Sequence, residues 1–382
     1  LITNTICAII SANKISADSG WSKMKESILF VGDSLTEAHQ NATYAKQLVK
    51  RLAPMYGGMG EFGYLPLSAT HTKTLGSNNQ VRVSRTSPGT VIHMWGTSDR
   101  KWNLSPFKYS PDGQGFYVES TNAETIFIDT KGLLKATHVR FFYLKQPNGC
   151  KFSFGYTGQP AALRVLIDSH SELEEVGMIE IDTRDITERL VIQLDRSTRR
   201  FAGFGIQFVD NSISHGLTYD TFARSGVTLR DHNQLISVEI YYQYLNPTIA
   251  MLNIGTNDAI AKLESREFKV QLQLWLDRLR SVCPATRVYM IEPNRPEYYG
   301  RPDSTRGFLS EEYTQIRKEI VDENSNIHYI DVPALTGDYE YYLANSWMQD
   351  NVHPSPIGKG IIASAVFNYI LNFEDAVSYS IF

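Results

Sequence analysis

The chain predicts an α/β fold built on a parallel sheet and interrupted by an all-β sandwich, and three observations carry this. Short apolar strands alternate with amphipathic helices near both ends of the sequence. The middle third has no long helical pattern and carries many short strands between turn clusters. The chain has 382 residues, of which 42% are hydrophobic and 20% charged. That is room for about two domains with sizeable cores.

Residues 1–25 read as an N-terminal arm. The chain begins at Leu1, and the apolar stretch Ile6 to Ala12 lacks the basic flank of a signal peptide, so a processed chain or fragment is expected. Ile28-Leu29-Phe30-Val31 is a strand buried on both faces, broken by Gly32-Asp33-Ser34. Tyr44 to Leu52 has helical spacing, and the glycine-rich Met55 to Tyr64 reads as a loop. Residues 26–75 therefore form the first part of the α/β unit.

Residues 76–212 read as the sandwich. Arg140 to Tyr143, Lys151 to Phe154, Ala162 to Ile167 and Leu190 to Leu194 are short strands, with turns at Pro111-Asp112-Gly113 and Pro147-Asn148-Gly149. The α/β alternation returns over residues 213–375. Helices are expected over Leu235 to Tyr244, Phe268 to Val282, Glu311 to Val321 and from Ser355 or Pro356 to Leu371. Strands are expected over Thr248 to Ile254, Val288 to Ile291 and Ile327 to Ile330. Such alternation implies a parallel sheet with helices on both faces. Residues 376–382 are left as a tail.

Composition narrows the function. Lys plus Arg is 37 and Asp plus Glu is 41, a formal charge of −4, which argues against a nucleic-acid binder. No run approaches about 18 consecutive apolar residues, so no membrane span is expected. Cys7, Cys150 and Cys283 are scattered, with neither a CxxC pair nor metal-ligand spacing. Eight of the nine histidines show no HxH or HExxH spacing and read as structural or surface residues.

Three segments bear chemistry. Ser34 follows the first apolar strand and precedes a helix, at the carboxyl end of a strand where α/β sheets present reactive groups. A serine there also serves as an ordinary helix cap. His353 and Asp350 lie three residues apart in Asp350-Asn351-Val352-His353-Pro354. A serine needs a base and the base an orienting carboxylate, and this loop supplies both if it turns back on itself. Asn257 follows the strand Thr248 to Ile254 in Gly255-Thr256-Asn257-Asp258, where its amide can face a developing oxyanion. The same tetrapeptide also suits a plain turn and helix cap, and Asp258 reads as a cap or supporting partner.

In that order the three segments resemble the motif blocks of the SGNH (GDSL-type) esterase superfamily. Gly32-Asp33-Ser34-Leu35 matches its serine block, Gly255-Thr256-Asn257-Asp258 its asparagine block, and Asp350 to Pro354 its final block. The resemblance implies a three-layer, flavodoxin-like sheet, a Ser34-His353-Asp350 triad, an acyl-enzyme and no metal or organic cofactor. It also implies an oxyanion hole from Ser34, Asn257 and a glycine N–H. Gly226, in Ala223-Arg224-Ser225-Gly226-Val227, is the candidate, with Gly63 and Gly89 as alternatives. The G-x-S-x-G signature of general α/β hydrolases is absent, since Leu35 and Thr36 follow Ser34.

A sandwich inserted between the first two core strands resembles peptidoglycan O-acetylesterases and deacetylating bacteriophage tailspikes. This implies an acetylated polysaccharide substrate, a carbohydrate-binding-like insert, and an extracytoplasmic or virion-associated setting. A tailspike fragment would further imply a homotrimer. Tyr298 and Tyr299, in the loop after Val288 to Ile291, are candidate substrate contacts. Trp95 and Trp102, with Phe107 and Tyr109, could stack on sugar rings or fill the sandwich core. The competing functions are an SGNH lipase or thioesterase and a non-catalytic carbohydrate-binding protein.

Overall fold

A computed structural model describes residues 25–37, 43–67, 82–85, 92–94, 107–113, 115–118, 125–129, 136–183, 189–195, 200–299, 301 and 304–379. Six parallel strands form the α/β sheet, in the order Ile327–Ile330, Arg287–Ile291, Ile249–Asn253, Lys25–Gly32, Gly216–Ala223, Met59–Phe62. Leaving aside the edge strand Met59–Phe62, the chain order across the sheet is 5-4-3-1-2. That is the flavodoxin-like winding, whose direction reverses between the first and third strands.

The first strand shows why the apolar run lies at the centre. Leu29 and Val31 pack into a core with the helices Val238–Leu245, Ser265–Val282 and Thr305–Asp322. Ile28 and Phe30 pack on the opposite face, with Tyr44–Leu52 and the last helix, Pro356–Tyr379. Helices on both faces leave no solvated side to the sheet, so its central strands are apolar throughout.

Two antiparallel sheets form the second layer system. One has the order Val165–Asp168, Lys151–Tyr156, Arg189–Leu194, Thr125–Asp129, Arg82–Arg85. The other runs Glu175–Asp182, His138–Lys145, Phe201–Val209, Phe116–Val118, Ile92–Met94, and Tyr64–Pro66 also pairs with Phe201–Val209. Side chains alternate across the second sheet. Phe141 and Tyr143 face the sandwich core, whereas Phe142 and Leu144 join the α/β core. Strand period two thus fastens the β layer to the helices.

Several sequence expectations are corrected. The glycine-rich Met55 to Tyr64 contains an edge strand, Met59–Phe62, paired with Gly216–Ala223 through an irregular register. Glycine composition hid it, since such a strand needs only extended backbone and one pairing edge. The chain enters the antiparallel layer at Tyr64–Pro66, before residue 75. The helix expected from Leu235 starts at Val238, after Ser237 at φ 60° breaks the run. Ala162 to Ile167 divides into a 3-10 turn, Ala161–Leu163, and the strand Val165–Asp168. The last helix continues to Tyr379, into the expected tail. Phe107 and Tyr109 are buried, and Tyr109 joins the α/β core, so both are packing residues. Trp95, Trp102, Gly89 and most of the N-terminal arm lie outside the described residues. Among the described residues no helix is long and apolar enough to cross a membrane.

Candidate active site

The sheet winding brings Ser34 and Asn257 to neighbouring strand ends at the reversal point. Gly32 closes its strand so tightly that a Cβ there would lie 2.3 Å from Thr36 Oγ1 and 2.5 Å from the Asn253 carbonyl. Only glycine fits. Asp33 then makes the turn: its Oδ1 accepts the Leu35 N–H at 3.0 Å, and its carbonyl accepts from Thr36 and Glu37 at 3.0 and 2.9 Å. Ser34 is left half-buried at the apex.

The loop after Ala344 does turn back on itself. Met348 and Pro354 form an antiparallel bridge, and the Ser355 N–H donates to the Trp347 carbonyl at 2.7 Å. Asp350 Oδ1 accepts the N–H groups of Val352 and His353 at 2.8 and 2.7 Å. Its carboxylate also lies 2.9 Å from His353 Nδ1, through Oδ2. His353 Nε2 in turn is 2.9 Å from Ser34 Oγ. Three residues from two distant segments thereby form one hydrogen-bonded relay. Burial pushes the Asp350 carboxyl up. The N–H donors and the imidazole outweigh that and hold it below the ordinary carboxylate value. A carboxylate that stays ionised favours the tautomer with the proton on Nδ1, leaving Nε2 to accept.

Asn257 lies in the first turn of the helix Thr256–Ile260, which follows Gly255 at φ 130°. Its Nδ2 donates to the Val227 carbonyl at 3.0 Å and faces Asp33 Oδ2 at 3.3 Å. Gly226 precedes Val227, is exposed, and has φ 77°. Asp258 accepts the Leu229 N–H at 3.0 Å, so the Asn257 helix is tied to the Gly226 turn. Among the described residues neither the Ser34 nor the Gly226 N–H has an acceptor. Gly63 instead packs at the far side of Gly216–Ala223, where a Cβ would meet the Tyr219 carbonyl at 2.4 Å. Asp33 and Asp258 are fully buried, and burial pushes both carboxyls up to about 7.

The loop after Arg287–Ile291 closes one side. Asn294 Nδ2 donates to the Val352 carbonyl at 3.2 Å, and the Glu297 N–H to the Asn351 carbonyl at 2.9 Å. Tyr298 OH donates to the Thr256 carbonyl at 3.4 Å, which sets both predicted tyrosines beside the Asn257 helix. Tyr299 carries the Arg295 guanidinium on its ring face, 4.4 Å from the centroid. Tyr298, Tyr299, Asn294 and Arg295 line one pocket of ≈ 290 Å³.

Sequence reasoning missed the support beneath this pocket. Arg317 donates to Glu292 Oε2 at 2.8 Å and to the Ile254 carbonyl at 2.5 Å, and both side chains are buried. It also missed Asp33 as a partner of Asn257. Glu292 and Asn294 could have been found, because they follow a parallel strand at its carboxyl end. Arg317 could not, since it lies mid-helix with nothing in its neighbourhood to mark it.

A family model described as GDSL-like Lipase/Acylhydrolase matches residues 194–361. Among solved structures, a peptidoglycan O-acetylesterase superposes with a TM-score of 0.65 at 15% identity, covering 93% of each chain. A carbohydrate esterase of family 3 from Talaromyces cellulolyticus covers 40% of this chain and 71% of its own, at 18% identity and TM-score 0.33. An acetylxylan esterase from Geobacillus stearothermophilus, in a catalytic-mutant form, covers 40% and 72% at 21% identity and TM-score 0.33. No curated protein matches. Residues 194–361 thus resemble the GDSL-like lipase/acylhydrolase family, and the full-length likeness to the esterase shows a shared fold. That shared fold spans 93% of the chain, and the two antiparallel sheets lie in sequence between strands of the parallel sheet.

Proposed function

We propose that this chain is a serine O-acetylesterase acting outside the cytoplasm on an O-acetylated cell-envelope polysaccharide. The observation that supports this best is the relay from Ser34 Oγ to His353 Nε2 and from His353 Nδ1 to Asp350, each step 2.9 Å long. In this mechanism Ser34 Oγ attacks the acetyl carbonyl while His353 Nε2 takes its proton. Asp350 holds the imidazole and stabilises its charged form. The N–H groups of Ser34 and Gly226 and the amide of Asn257 hold the oxyanion. The tetrahedral intermediate collapses as His353 returns the proton to the departing sugar oxygen. Water, deprotonated by His353, then attacks the acetyl-enzyme, and acetate leaves as Ser34 regains its hydrogen.

Two further observations favour a sugar over an alkyl chain. The pocket beside the relay is lined by tyrosines, Asn294 and Arg295, which suits a polar ring. The full-length structural likeness is to a peptidoglycan O-acetylesterase, so acetylated peptidoglycan is the first polymer to test. We assign the antiparallel layer, which the chain enters at Tyr64–Pro66, to shaping the glycan side of the cleft.

The test measures acetate release from acetylated polysaccharides, peptidoglycan first, and from p-nitrophenyl acetate. Ser34→Ala is expected to lower kcat by about 10⁴-fold or more. Undiminished turnover in Ser34→Ala would remove Ser34 as nucleophile. Preference for an octanoyl over an acetyl ester would replace the acetylesterase with a lipase.

A further inference from the structure

The pocket beside the relay holds one unbalanced charge. Its ionisable lining comprises Glu292, Arg295 and Arg317 together with two tyrosines near the rim and Tyr313. Glu292 and Arg317 neutralise each other through a buried ion pair of 2.8 Å. Arg295 has no carboxylate partner among the described residues. It is half-buried, and its guanidinium lies on the Tyr299 ring, 4.4 Å from the centroid. Stacking fixes the plane of the fork and leaves its N–H edge free to donate. The pocket therefore carries a fixed positive charge in a chain whose net charge is −4.

A second feature points to a ligand independently. Asn294 lines the same pocket and is 5% exposed, and its Oδ1 has no hydrogen-bond partner. Its Nδ2 is already committed to the Val352 carbonyl. A buried amide oxygen without a donor is costly, by roughly 1–3 kcal/mol, and a small turn of the side chain toward the pocket would let a ligand hydroxyl satisfy it. The position of the pocket is fixed against the relay at two points. Asn294 holds the carbonyl next to His353, and Tyr298 holds the carbonyl next to Asn257.

We propose that Arg295 and Asn294 form a subsite for an acidic sugar, with Arg295 pairing its carboxylate and Asn294 Oδ1 accepting one of its hydroxyls. This deepens the esterase function proposed above and rests on it for the reacting group. It adds the substrate's chemistry: the acetylated polymer carries a carboxylate on or next to the acetylated ring. A carboxylate is preferred because a planar guanidinium edge matches its two oxygens.

The test separates binding from turnover. Glucuronate, glucose and glucose 1-phosphate are titrated onto the Ser34→Ala protein at low salt, and binding is followed by NMR. Glucuronate is expected to bind about tenfold more tightly than glucose, the scale of one charge-assisted hydrogen bond. Adding Arg295→Met should abolish that difference, and Arg295→Lys should restore part of it. Equal binding of glucuronate and glucose overturns the subsite, as does a difference that survives Arg295→Met. Tighter binding of the phosphate ester than of glucuronate overturns the carboxylate assignment. In turnover, wild-type protein should prefer an O-acetylated glucuronide to the matching glucoside, and Arg295→Met should level the two. If neither ester is cleaved, the esterase function fails alone, and the titration still decides the subsite.

Discussion

Asn257 can present only one of its amide hydrogens to a substrate. The other is held by the Val227 carbonyl at 3.0 Å. The free one faces Asp33 Oδ2 at 3.3 Å, a long and weak contact that an oxyanion can displace. Burial assists by pushing the Asp33 carboxyl up to about 7, so near neutrality it is partly protonated and a poorer acceptor. Asn257→Ala should therefore cost about 10²–10³ in kcat, with a much smaller change in KM. Steady-state kinetics on p-nitrophenyl acetate checks this, and an unchanged kcat would exclude the amide from the oxyanion site. Asp258 gives a pH prediction. Its folded pKa is raised from 3.8 to about 7 by burial, opposed by the Leu229 N–H and by Arg317. The unfolded chain therefore releases this proton earlier than the folded one as pH rises. The stabilisation is complete below about pH 4 and is lost towards pH 7, by at most about 1.4 kcal/mol per pH unit. Across pH 5 to 7.5, Asp258→Asn should lose less melting temperature than wild type, and parallel curves would refute the shift. At this scale Ser34, Asn257, Asp350 and His353 were legible because each stands in a short motif at a strand or helix end. Asp33 was visible only as part of a motif, because a side-chain hydrogen bond across 224 positions leaves no local pattern.

The turn between strand Ile249–Asn253 and helix Thr256–Ile260 aims that amide, and Arg317 braces it from outside. A Cβ at Gly255 would fall 2.4 Å from Arg317 Nη2, the nitrogen that holds the Ile254 carbonyl. Gly255→Ala must therefore both strain a φ of 130° and push Arg317 off the turn. The brace is itself a buried ion pair, and removing Arg317 leaves the buried Glu292 with two hydroxyl donors but no counter-charge. Arg317→Met should destabilise the fold by about 3–5 kcal/mol, measured by urea unfolding. The double variant Arg317→Met with Glu292→Gln should recover part of that loss. No recovery would mean that Arg317 acts by packing on Phe268, whose ring centroid is 5.2 Å away. The sequence marks the glycine, since strand-to-helix turns favour it, but not the arginine, whose helix is assigned by apolar spacing alone. Edge strand Met59–Phe62 was hidden for a related reason. Its pairing lies with Gly216–Ala223, more than 150 residues away, and its own residues read as a flexible loop.

On the scale of the whole molecule, the two sheet systems share side chains rather than merely touching. Tyr64, Phe142, Leu144 and Phe204 come from the antiparallel layer, yet they lie in one cluster with Phe222, Val238, Tyr241 and Tyr242 of the α/β layer. The rings interlock: Tyr64 meets Phe222 at 5.5 Å and Tyr241 at 5.7 Å, and Phe142 meets Tyr241 at 5.0 Å. Tyr241 OH adds a hydrogen bond to the Tyr109 carbonyl at 2.9 Å. The chain thus reads as an insertion by texture but packs as one body, because Phe142 and Leu144 alternate with Phe141 and Tyr143 along one strand buried on both faces. Texture could show that a β region begins and ends, but not which strand has two apolar faces opposed by two cores. Unfolding should accordingly be a single transition, with calorimetric and van't Hoff enthalpies equal. Phe142→Ala, in the shared cluster, and Phe154→Ala, inside the sandwich, should each lower that one transition by about 3–5 kcal/mol. If the sandwich were an independent domain, Phe154→Ala would instead split the melt, moving one transition and leaving the other in place. Coupling of this kind gives the insert a part in holding the relay, because the Tyr241 helix also packs on Phe222, next to the strand end from which the Gly226 turn departs.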